Sequence, residues 1–268
     1  MDKKDKNKIS RKRFLPNSLT IINMFLGFLA IQLIFKDQYY EGCILIVIAG
    51  VMDLFDGKIA RFLGISSKFG VEFDSLADMV SFCIFPSMLV SKLYFNGLVI
   101  ISDIYFINYN LLITSLISSI PLLLGSFRLA KFNTEINSES NSSYFTGLPT
   151  PISTMTLISY FLINNQLYGE LYLGNPLFVL LLIIFLGILM VSPVRFPKAP
   201  LINFKVSLVN SIQLSLFMFS SLMIFFWKGI ALFPISILYI IVNSLIHILK
   251  KQNKQESRTS FIENKIDI

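Results

Sequence analysis

Apolar stretches alternate along the chain with short polar segments, and most of the apolar stretches are close to the length of a membrane-crossing helix. Helices are predicted near residues 17–35, 42–62, 71–91, 108–127, 150–164, 176–192, 207–226 and 230–249. A hydrocarbon layer about 30 Å thick needs about 20 helical residues to cross it. The fifth run is the shortest, and no internal repeat accompanies the pattern. The fold expected is an all-α integral membrane protein of about eight transmembrane helices. Residues 1–13 then form a basic cytoplasmic tail, 14–250 a polytopic membrane domain and 251–268 a polar cytoplasmic tail.

The polar segments decide the topology. With eight spans, 20 of the 23 lysines and arginines fall on one face, leaving Lys36, Lys92 and Lys228 on the other. The excess of positive charge marks the cytoplasmic side, so both termini are expected inside. Dropping one helix would scatter the basic groups over both faces. The opposite face collects Tyr39, Tyr40, Tyr94, Tyr105, Tyr168, Tyr172 and Trp227, which suits an interfacial aromatic belt.

Composition sharpens the class. The chain of 268 residues is 54% hydrophobic and 15% charged, with a mean hydropathy of +0.69, which excludes an ordinary soluble domain. Heavy use of Phe, Ile, Asn, Lys and Ser suggests an AT-rich bacterial genome, and hence an inner membrane. The net charge of +7 suits anionic lipid headgroups, and no nucleic-acid partner is expected. Cys43 and Cys83 lie within apolar runs and offer no disulfide framework. His247 is the only histidine, near the end of the last run, so zinc chemistry and histidine-based catalysis are disfavoured.

Against that background four carboxylates stand out. Asp53 and Asp56 are three residues apart, and Asp74 and Asp78 are four apart, so each pair shares one helix face. Both pairs fall near the cytoplasmic ends of consecutive antiparallel helices, which would turn four acids toward one another. A single charge at the centre of a span costs about 2.5–3.5 kcal/mol on insertion scales, and mutual repulsion adds to that. Divalent cations remove both difficulties. Oxygen-only ligation favours Mg²⁺ or Mn²⁺, and two ions sharing these ligands would grip a pyrophosphate. Gly57, Ala60 and Gly70 clear space beside the acids for a nucleotide or a phosphate, or serve close helix packing. Arg61 either clamps a phosphate or marks the membrane interface. A cation-coupled transporter is the competing reading of buried acids, but transporters show related halves or broken midplane helices.

Asp53, Asp56, Gly57, Ala60, Arg61, Gly70, Asp74 and Asp78 match, position for position, the pattern D-x2-D-G-x2-A-R-x8-G-x3-D-x3-D. In this the chain resembles the CDP-alcohol phosphatidyltransferase family. The resemblance implies that family's fold, with a core of six membrane helices, a homodimer and a polar cavity open to the cytosol. It also implies that Asp53, Asp56 and Asp74 bind metal, that Asp78 both contacts metal and acts as general base, and that Gly57, Ala60 and Gly70 line the cytidine nucleotide site. Residues 16–20, 127–133, 147–151 and 192–197 are similar to segments of the bacterial integral-membrane phosphatidylserine synthases. That likeness implies CDP-diacylglycerol and L-serine as substrates, drawn together at the membrane lipid surface. A different acceptor, as in phosphatidylglycerophosphate synthases, would call for a further basic cluster. Serine's carboxylate calls for a bidentate donor, for which Arg128 and Arg195 are candidates. Asn17, Thr20 and Asn133 either add polar contacts to the cavity or cap and bridge helices.

Overall fold

Helices occupy seven of the eight predicted runs; the run at 207–226 and the C-terminal segment 251–268 lie outside the described residues. The computed structural model describes residues 3–62, 67–95, 109–135, 144–169, 174–197 and 233–247. The helices are α1 (Lys3–Phe35), α2 (Tyr39–Phe62), α3 (Lys68–Asp78), α4 (Phe85–Val90), α5 (Tyr109–Ser118), α6 (Ile120–Glu135), α7 (Thr150–Tyr168), α8 (Pro176–Val191) and α9 (Phe233–His247). Among the described residues three helical stretches, Pro16–Phe35, Lys68–Tyr94 and Leu111–Thr134, are long and apolar enough to cross a membrane. The α2 helix has the length but is interrupted by Glu41, Asp53, Asp56, Lys58 and Arg61. The α8 and α9 helices are apolar but shorter.

Two prolines shape the helices around the acids. Pro86 has no N–H to offer the carbonyl of Phe82, four residues earlier, so the backbone widens into a π-helical turn over Met79–Ile84. The Phe82 carbonyl is instead satisfied by the Thr154 hydroxyl at 2.6 Å. Pro121 likewise divides α5 from α6 at Ser119, and the Leu122 N–H donates to Ser87 Oγ at 3.0 Å. In a low-dielectric interior a backbone group left without a partner costs several kcal/mol, so these hydroxyls are what make both kinks tolerable.

The most extensive helix pair is α1 against α2, joined by a turn at 36–38 in which Asp37 takes a left-handed conformation, φ 59°. Asp37 accepts a hydrogen bond from Tyr39 and pairs with Lys92 at 3.4 Å. The Tyr39 hydroxyl, and then the Lys92 ammonium, hold its carboxyl below the usual range. Two of the three basic residues assigned to the sparsely charged face, Lys36 and Lys92, thus stand together at one end of the molecule. Thr20 lies about 24 Å away along α1, at the helical rise of 1.5 Å per residue. Buried apolar side chains form two clusters. One joins α1 and α2 to the π turn, α4 and α7 through Ala30, Ile46, Phe82, Phe85 and Phe161. The other joins α8 to α7, α9 and the strands through Leu157, Ile183, Leu186, Phe196 and Ile240.

The all-α expectation needs one correction: β1 (Tyr144–Thr146) and β2 (Arg195–Pro197) pair antiparallel, with Phe145 opposite Phe196 and Thr146 opposite Arg195. Pro149, Pro193 and Pro197 keep these segments from continuing the adjacent helices, and the ladder satisfies their backbone groups instead. Gly147 closes the ladder, its N–H donating to the Val194 carbonyl at 2.8 Å. Its φ is +79°, and a Cβ added there would stand 2.1 Å from the Met190 carbonyl oxygen. Gly147→Ala is therefore expected to destabilise the protein by at least about 2 kcal/mol, from left-handed strain plus the clash. Thermal unfolding of the purified variant in detergent checks this, and an unchanged midpoint would contradict it.

Candidate active site

The acids meet where α2 and α3 each pack against α1. Carboxylate oxygens of Asp53, Asp56 and Asp74 all lie within 4.8 Å of one another. Asp78 sits one turn deeper on α3, just ahead of the π turn, within hydrogen-bonding reach of Asp53. Asp56 and Asp78 are buried, and one oxygen each of Asp74 and Asp78 is buried with no hydrogen-bond partner. Like charges this close are relieved by a proton or a counter-ion, and the two orphaned carboxylate oxygens among these acids fit a hard divalent cation. Neither cysteine nor histidine belongs to the cluster.

The surrounding residues show which predicted positions the fold brings to the acids. Thr20, on α1, places its hydroxyl proton between Asp56 Oδ2 at 2.8 Å and the Pro16 carbonyl at 3.1 Å. An ionised Asp56 draws that proton, so Thr20 serves to orient the carboxylate. The Asp56 carboxyl also accepts from the Gly57 backbone N–H. Ser67 caps α3 by accepting from the Gly70 N–H at 3.1 Å. A Cβ at Gly70 would sit 3.2 Å from that serine oxygen and 3.8 Å from Asn17 Oδ1. Gly70 thus keeps the cap tight and lets α1 approach. Ala60 and Arg61 belong to the backbone of α2, and their side chains lie outside the described part of the structure. Asn133 accepts from Ser75 at 3.0 Å and donates to Glu72 at 2.9 Å, an amide bridge that ties α6 to α3.

The two candidate arginines part company. Arg128 is 6% exposed and close enough to Asp78 and Asp53 to interact with their charges. Its Nη1 donates to Thr150 Oγ1 at 3.4 Å, and its guanidinium lies 5.3 Å from the ring centre of Phe132 and 5.8 Å from that of Phe145. Arg195 is exposed on β2, with its backbone N–H directed at His247 Nδ1 at 3.4 Å, and no described contact brings it to the acids.

Several residues at the site escaped the sequence reading. Asn23 and Ser81 form a buried polar pair one turn below Thr20 and Asp78, with Ser81 Oγ donating to Asn23 Oδ1 at 2.8 Å. The three-residue spacing from Thr20 to Asn23 was the available signal. Thr150, Phe132 and Phe145 reach Arg128 from three different elements, and no local pattern marks such a convergence.

A family model described as CDP-alcohol phosphatidyltransferase matches residues 13–242, the whole of the segment that builds this site. The chain belongs to the CDP-alcohol phosphatidyltransferase family. Relatives agree with it. The CDP-diacylglycerol–serine O-phosphatidyltransferase of Helicobacter pylori is 33% identical over 204 residues, covering 75% of this chain and 80% of its own. The protein of the same name from Bacillus subtilis is 31% identical over 184 residues, covering 69% and 90%. The archaetidylserine synthase of Methanothermobacter thermautotrophicus is 31% identical over 186 residues, covering 69% and 70%. This phosphatidyltransferase is thus a membrane enzyme of phospholipid biosynthesis, from a family that generally depends on divalent metal.

Proposed function

We propose that this phosphatidyltransferase transfers the phosphatidyl group of CDP-diacylglycerol to the hydroxyl of L-serine, giving phosphatidylserine and CMP. The observation that carries an anionic acceptor is Arg128: a buried guanidinium with an unpartnered Nε, close enough to Asp78 to feel its charge. A planar forked cation suits the anionic group of an acceptor, the carboxylate of serine or a phosphate alike. The names of the bacterial relatives favour serine among such acceptors.

The residues divide the work as follows. Asp53, Asp56 and Asp74, with Asp78, would hold one or two Mg²⁺ or Mn²⁺ ions, supplying positive charge against the pyrophosphate and the departing CMP. Thr20 keeps the Asp56 carboxylate turned into the cluster. Gly57, Ala60 and Gly70 leave room for the cytidine nucleotide, and Arg61 is positioned in sequence to meet a phosphate. Asp78 accepts the proton from the serine hydroxyl, whose oxygen attacks the phosphorus bearing the diacylglycerol. The bond from that phosphorus to the oxygen of CMP breaks in line. Burial keeps water away from the activated phosphorus. The crowding of basic residues on one face supports a cytoplasm-facing site at the inner membrane of a bacterium, with both termini inside, and the family resemblance supports a homodimer.

The test supplies purified protein with labelled CDP-diacylglycerol, Mn²⁺ and, separately, serine, glycerol 3-phosphate or inositol. Lipid product and CMP are expected with serine alone. Product with glycerol 3-phosphate and none with serine would overturn the assignment.

A further inference from the structure

Arg128 and Asp78 are both buried, carry opposite charges and interact electrostatically, yet they do not form an ion pair. No ion pair within 4.0 Å joins Arg128 to Asp78, whereas Lys92 and Asp37 form one at 3.4 Å. Each member keeps an unsatisfied atom, Nε on Arg128 and Oδ1 on Asp78. In a low-dielectric interior two such groups attract each other, and their separation calls for a restraint.

The restraint is visible on the other side of the guanidinium. Phe132 from α6 and Phe145 from β1 meet edge to face, with ring centres 5.3 Å apart and planes at 67°. Both rings lie within cation–π distance of Arg128, and Thr150 at the start of α7 takes its Nη1 proton. Phe145 is held in turn by the β1–β2 ladder, where it stands opposite the fully buried Phe196. The segment 144–150 therefore touches the arginine directly, and 192–197 acts on it through Phe145.

We infer that Phe132 and Phe145 are positioning residues that draw Arg128 back from Asp78 and so keep open the subsite for the acceptor alcohol. This rests on the serine reading above. The gap lies between a cation with a free donor and a carboxylate with a free acceptor. It takes a small molecule with an anionic group at one end and a hydroxyl at the other. Without the clamp Arg128 swings onto Asp78, filling the acceptor subsite and blunting the base, while the nucleotide end of the site is untouched.

The test uses the full-length protein in detergent with Mn²⁺, measuring KM for serine and for CDP-diacylglycerol separately. Phe145→Leu keeps the apolar volume but removes the ring; Phe145→Tyr keeps the ring. With Phe145→Leu the serine KM is expected to rise about 3- to 30-fold, the range set by losing one cation–π contact, with the CDP-diacylglycerol KM within a factor of two. With Phe145→Tyr the serine KM is expected to return to near that of the parent. An unchanged serine KM in the leucine variant overturns the clamp. So does a loss of turnover, with both KM values raised and the melting temperature lowered, that tyrosine does not rescue. Failure of the parent protein to use serine at all would instead defeat the acceptor assignment, which separates the two ideas.

Discussion

Asp78→Asn is expected to lower kcat by about 10²- to 10⁴-fold, the usual contribution of a general base. The amide is nearly isosteric but has no lone pair basic enough to take a proton from an alcohol. It can still donate to Asp53, the neighbour that Asp78 already meets. The substitution also removes one carboxylate from a set that repels itself, so the metal-free variant should melt at or above the temperature of the parent. Loss of activity with retained stability and retained CDP-diacylglycerol binding is the expected combination. Near-parental turnover would remove Asp78 as the base, and a collapse in melting temperature would make its role structural.

The second large effect concerns divalent ions. Excess chelator is expected to abolish turnover, and added Mn²⁺ to restore it. The physical reason is the close approach of Asp53, Asp56 and Asp74, whose like charges repel. The same reasoning gives a readout independent of activity. An ion that binds only the folded state stabilises it by about 2.7 kcal/mol when present at 100 times its Kd. Mn²⁺ should therefore raise the melting temperature of the parent protein. Asp53→Asn and Asp56→Asn should each lose most of that shift, because each replaces a charged ligand of the cage by a neutral amide. A melting temperature indifferent to Mn²⁺, with turnover undisturbed by chelator, would refute the cage.

Much of the site was legible beforehand because its key spacing is local. Acids three and four residues apart on a helix share a face whatever the rest of the chain does, and two consecutive helices joined by a short connection must lie close together. The two segments first read as substrate motifs, around Gly147 and Arg195, were harder. Their glycine and prolines mark a strand ladder, and their bearing on the chemistry runs through Phe145 to Arg128. Asn133, at one remove, turned out to bind α3 to α6 through Ser75 and Glu72.

The amino-acid sequence alone determined the positions of seven helical runs, the membrane character and the family, since all three follow from hydropathy, charge and spacing read along the chain. Pro86 and Pro121 stand plainly in the sequence, but the breaks inside the runs 71–91 and 108–127 came from the structure. Tertiary structure decided which arginine faces the acids, which hydroxyl orients Asp56 and which rings hold Arg128. Those choices depend on side chains that meet across helices from positions more than 20 residues apart, such as Thr20 with Asp56 and Arg128 with Thr150. Contacts of that kind follow no repeat of 3.6 or of 2, and only the packed fold brings them together.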